Sequence, residues 1–131
     1  MAAKKLVRSG RKWEPLVGYC RAVKVGSHIA VSGCAPVDDE GGLVGLNDPY
    51  LQAKQCIEII AGALKEVGAS LEDVVRTRMF VTDISRWEEV ARAHQEAFAA
   101  ITPATSMVEV SGLIGAGMMV EIEADAVLET H

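Results

Sequence analysis

Glu121 and Glu123 stand two residues apart in Met119–Leu128, a run in which acidic and apolar residues alternate. In a β-strand that spacing puts both carboxylates on one face, about 6–7 Å apart. Two carboxylates so close raise the pKa of one and make an acid–base catalyst. The competing reading is neutralisation by cations of a neighbouring strand, and Arg76 and Arg78 have the same two-residue spacing. The histidines offer less: His28, His94 and His131 lack the spacing of metal ligands, so no metal site is expected. His94 falls between Val90 and Phe98 at four-residue intervals and reads as a packed histidine with one hydrogen bond. Cys20, Cys34 and Cys56 form no CxxC pair and are odd in number, which suits free thiols in a reducing compartment. The chain has no GxGxxG, P-loop, HExxH or GxSxG pattern, and nothing in it calls for a cofactor.

The elements that must position these residues follow from periodicity. Val120, Ile122, Ala124, Ala126 and Leu128 share the face opposite Glu121, Glu123 and Asp125, so the run is a half-buried strand. Thr105–Val110 alternates in the same way, with Thr105, Met107 and Glu109 on one side. Tyr19–Val25 and His28–Ser32, separated by Gly26-Ser27, predict a hairpin. Gly33 either ends that hairpin or admits a close approach by backbone or ligand. Asp38–Gly42 reads as an exposed tip. Asp48-Pro49 opens a helix whose stripe is Leu51, Ile57, Ile60, Ala61 and Leu64, with Cys56 a small buried hydrophobe and Gly68 the stop. Val74–Thr82 is a strand with Arg76, Arg78 and Phe80 on one face. Ser85-Arg86-Trp87-Glu88 has the pattern of a capping box opening a second helix to about Ala100, with Trp87, Val90, Ala91, His94 and Phe98 inward. Residues 1–18 carry no period and read as irregular.

The order strand, strand, helix, strand, helix, strand, strand implies an α+β two-layer sandwich, a mixed sheet covered by two helices. The other face, assigned Met107, Glu109, Glu121, Arg76 and Arg78, is half apolar and half charged. It predicts burial against further subunits by cyclic self-association. The 131 residues fit one domain, 1–131, with 1–14 a poorly ordered or peripheral N-terminal segment. A net charge of −5 argues against neutralising nucleic-acid phosphates, despite the basic run Lys4, Lys5, Arg8, Arg11 and Lys12. With neither a signal-peptide core nor an apolar run near ~18 residues, a cytoplasmic protein without a membrane span is expected.

Four segments carry a resemblance over roughly residues 15–128: VKVGSHIAVSGCAP, LEDVVRTRMFVTDI, PATSMVEV and MVEIEADAV. Together they resemble the Rid proteins, the YjgF-type reactive-intermediate deaminases. The resemblance implies a fold similar to bacterial chorismate mutase, assembled as a homotrimer with clefts for small metabolites between subunits. It implies that Tyr19, Ser32 and Gly33 line the cleft and that Glu121 positions the attacking water. The family's helix asparagine falls at Arg92 or Ala91. In the deaminating branch an arginine directly after Pro-Ala grips the substrate carboxylate, and here that position is Thr105, whose hydroxyl cannot imitate a bidentate guanidinium. That branch also has Leu-Pro where this chain has Leu113-Ile114, and a longer loop before Pro103. Two classes of function therefore stand open. One is hydrolysis of an enamine or imine to a carbonyl compound and ammonia, on a substrate not gripped through a carboxylate. The other is binding of a small metabolite without turnover. A ribonuclease or translation-inhibitor role is the weakest, given the net charge and only 5% aromatic residues.

Overall fold

The computed structural model describes residues 3–129, so His131 lies outside the described residues. In chain order the elements are β1 (Lys4–Val7), α1 (Trp13–Val17), β2 (Ala22–Val25), β3 (His28–Cys34), α2 (Pro49–Glu66), β4 (Val74–Val81), α3 (Trp87–Phe98), β5 (Ala104–Glu109) and β6 (Val120–Val127). The strands form one sheet ordered β1-β2-β3-β6-β4-β5. Only β4 and β5 pair in parallel, with α3 as their crossover. This is the expected α+β sandwich: α2 packs on β3 and β6, and α3 packs beside α2.

Local chemistry accounts for most boundaries. Gly26 takes φ +60° in the two-residue loop that sets Val25 opposite His28, as a tight hairpin loop requires. The Asp48 carboxylate accepts from the Leu51 amide at 3.1 Å, and Pro49 starts α2. Val120, Ile122, Ala124 and Ala126 of β6 are buried under the helices, together with Thr77, Met79 and Val81 of β4.

Several expectations are corrected. Residues 1–18 are not irregular throughout: Lys4–Val7 pairs with β2 as an edge strand, and Trp13–Val17 is a helical turn. Lysines at 4 and 5 are ordinary on a sheet edge, where charge discourages further pairing. The Ser85 capping box does not form. Asp83 instead accepts from the Ser85 amide and caps a short 3-10 turn, whereas a true box closes between Ser70 and Asp73. Leu51 and Trp87 turn outward, and Gln52 and Ala93 take buried positions in their place. Met107 lies beside Met79 on the helix-covered side and packs against the core, and Glu109 shares that side. The open face carries Val108 and Phe80 instead, in register with each other.

Candidate active site

The site grows from an irregularity in β3. Pairing with β6 runs from Val31 opposite Ala124 to Cys34 opposite Ile122, so Ser32 and Gly33 together oppose Glu123 alone. Such a bulge twists the strand and re-aims its groups. The hydroxyl of Ser32 donates to the Cys20 carbonyl at 2.7 Å, and its amide donates to the Arg21 carbonyl at 2.9 Å. Gly33 carries no side chain, and Glu121 fills the space: a methyl group there would sit 2.5 Å from Glu121 Oε2. Glu121 is half-buried as a result, and burial raises its pKa above the ordinary glutamate value. Arg21 pulls that pKa back and Glu123 pushes it further up.

Arg21 is a residue that the sequence reading passed over. Its Nη1 donates to the Gly33 carbonyl at 2.7 Å and reaches the Cys34 sulfur at 3.3 Å, while the Tyr19 ring lies 5.6 Å from Cζ. Burial pushes the Cys34 thiol up to about 11, with Arg21 acting against the rise. Cys20, Cys34 and Cys56 are all buried and free. The sequence offers no signal that singles out Arg21, since Tyr19–Val25 carries Lys24 as well and alternation does not mark which cation is buried.

Tyr19, Arg21, Ser32, Gly33 and Glu121 line one cavity of about 1080 Å³. Gly112–Ala116 and Met118 form its lip, and Ser9–Trp13 forms a further wall. That wall is tied down by Glu14, which is buried and accepts from the amide and hydroxyl of Ser9. The two carboxylates of the acidic pair have separate fates. Glu123 meets Arg78 at 3.3 Å, as does Asp125 at 3.2 Å, whereas the ion pairs among the described residues include none to Glu121. Arg76 joins none of them.

Two sequence candidates lie elsewhere in the single chain. Arg92 stacks over the Tyr50 ring at 4.0 Å, and the Tyr50 hydroxyl donates to Glu96 at 2.6 Å. Thr105 sits on the edge strand β5, its hydroxyl 2.6 Å from that of Thr77, which is 2.8 Å from His94 Nε2. His94 is thus a packed histidine with one hydrogen bond, tilted against Phe98, and burial lowers its pKa. Among the described residues no group of three or more His, Cys, Asp or Glu side chains converges as metal ligands would.

Residues 10–128 match the sequence profile of the family described as Endoribonuclease L-PSP. The chain belongs to the Rid/YjgF family. A Mycobacterium tuberculosis structure, described as a member of the highly conserved YjgF/YER057c/UK114 family, is 45% identical, covers 96% of this chain and 100% of its own, and superposes with a TM-score of 0.88. The fold is therefore the chorismate-mutase-like fold of Rid proteins. The 2-iminobutanoate/2-iminopropanoate deaminase of Salmonella typhimurium is 35% identical over 112 residues, 83% of this chain and 86% of its own. The 3-aminoacrylate deaminase RutC of Acinetobacter baylyi is 30% identical over 112 residues, 86% of this chain and 88% of its own. Rid relatives thus include hydrolases of both imines and enamines. No helix among the described residues is long and apolar enough to cross a membrane.

Proposed function

We propose that this chain hydrolyses a small imine, or the enamine that tautomerises to it, to a carbonyl compound and ammonia. The observation that carries the reading is Glu121, a half-buried carboxylate with a raised pKa, without an ion-pair partner among the described residues and held against Gly33 in the cavity. Water attacks the imine carbon while Glu121 takes its proton. That proton passes to nitrogen to give the carbinolamine; a second proton then moves from the new hydroxyl through Glu121 to nitrogen as the C–N bond breaks, the carbonyl forms and ammonia leaves. A base whose pKa is raised toward the working pH transfers protons more effectively. Tyr19 and Ser32 frame the substrate.

We infer further that the working form is a homotrimer and that the cavity is completed by a neighbouring subunit. Ile114, on the lip, and Val108, on the open face, are 61% and 46% exposed, which favours an apolar cover. The edge strand bearing Thr105 is free to meet the cavity of another copy. With threonine at 105, the substrate is not held there by a guanidinium. In this reading the substrate differs from those of the deaminating branch in how it is gripped.

The test is ammonia release from 2-iminopropanoate and from 3-aminoacrylate, generated in situ, with wild type and Glu121→Gln. Acceleration by wild type, lowered about 10²- to 10⁴-fold in the variant, is the expected result. No acceleration of either compound by a folded protein that still binds their carbonyl products would leave metabolite binding without turnover.

A further inference from the structure

We propose that Arg21 is the anion anchor of this cavity, so that the site takes small imines or enamines bearing a carboxylate although position 105 is threonine. The proposal rests on the cavity being the reactive site. Arg21 is 7% exposed and is the one buried cation among the described residues. A guanidinium in that position needs acceptors or a counter-charge. Only part of the need is met: Nη1 has the Gly33 and Ser32 carbonyls and the Cys34 sulfur, while among the described residues Nε and Nη2 hold no protein acceptor and neither is sealed from solvent. Glu121 faces the same cavity but stays beyond ion-pair distance of the guanidinium. The cavity thus holds an acid and a cation side by side with a gap between them. A carboxylate seated on the open edge of Arg21 would satisfy its remaining donors in the forked geometry that guanidinium favours. The imine carbon of the same small molecule would then lie toward Glu121. Among the other lining residues Arg11 and Lys12 are matched by Asp39 and Glu40, so the selectivity for an anion comes from Arg21.

The experiment compares pyruvate, the hydrolysis product of 2-iminopropanoate, with methyl pyruvate, which has nearly the same shape and no charge. Titration calorimetry on the full chain should show pyruvate binding at least about tenfold more tightly than the ester. Arg21→Gln should weaken pyruvate about 10- to 100-fold and leave the ester unchanged, with Arg21→Lys intermediate. In turnover, Arg21→Gln should also move the acid limb of the pH profile upward, because Arg21 holds the Glu121 pKa down. Equal binding of acid and ester by wild type overturns the proposal, as does a preference that survives in Arg21→Gln. The wild-type comparison needs no variant, so it stands if Arg21→Gln fails to fold. Pyruvate preference without ammonia release would keep the anchor and remove the hydrolysis. Ammonia release without the preference would do the reverse.

Discussion

Gly33 and Glu121 share one small volume, and most of the site's chemistry follows from that sharing. Gly33 does not have a left-handed backbone, so alanine is conformationally acceptable there. Its methyl group would still meet Glu121 Oε2 at 2.5 Å and Cδ at 2.9 Å. A carboxylate at the end of a flexible side chain can swing away at little cost to the fold. Gly33→Ala should therefore change stability by less than about 1 kcal/mol while lowering turnover about 10²-fold, since small misplacements of a catalytic group are costly. Thermal melts and steady-state rates on the same preparations check both halves. Gly33 was legible in the sequence because a glycine interrupting a β-prone run signals a close approach. Arg21 was not, because an alternating run gives no hint that one of its members is buried and half satisfied. The hydroxyl chain from Thr105 through Thr77 to His94 was also hidden: it depends on β4 and β5 pairing in parallel, with Thr77 opposite Thr105.

At the scale of elements, α2 holds the lip of the cavity. Gln52 is fully buried, donates to the Gly45 and Gly117 carbonyls at 3.0 Å each, and accepts from the Met119 amide at 2.7 Å. It thereby ties the loop before β6 to the first turn of α2. Gln52→Leu keeps the apolar character of the helix face but strands the Gly117 carbonyl and the Met119 amide, while the Gly45 carbonyl keeps the Asp48 amide at 3.0 Å. It should cost about 2 kcal/mol, read from denaturant unfolding, and speed amide exchange across Gly112–Met118. Element existence was largely readable: the hairpin at Gly26-Ser27, the Asp48-Pro49 start of α2, and the alternation of β4 and β6 all follow from local chemistry. Element neighbours were less so. Met107 was assigned to the open face because alternation says which residues share a side, and not which side faces the helices. Leu51 and Gln52 exchanged roles for a related reason: a polar side chain with three backbone partners outbids an apolar one at the helix start. β1 escaped notice since four residues are too few to show a period.

For the whole molecule, the open face mixes Phe80 and Val108 with the Arg78, Glu123 and Asp125 cluster, and apolar Ile114 stands at the cavity lip. A homotrimer should appear as a single species of three times the chain mass in sedimentation at micromolar concentration, and a monomer there would remove the shared-cleft reading. The central claim, however, concerns Glu121 as the base. Its raised pKa has a definite sign in stability: the unfolded chain ionises this carboxyl more readily, so ionisation costs stability as pH rises from the ordinary glutamate range through the raised value. Glu121→Gln removes that cost and should be at least as stable as wild type at pH 7, which separates loss of function from loss of fold. In catalysis the ionised form is the working one. The most direct measurement is thus the pH dependence of kcat/KM for imine hydrolysis, taken from about pH 4 to 8 on wild type and Glu121→Gln. The account predicts a wild-type acid limb lying above the ordinary glutamate pKa of 4.5, and a small residual rate without that limb in the variant. A wild-type profile flat to pH 4, or an acid limb that persists unchanged in Glu121→Gln, would contradict it.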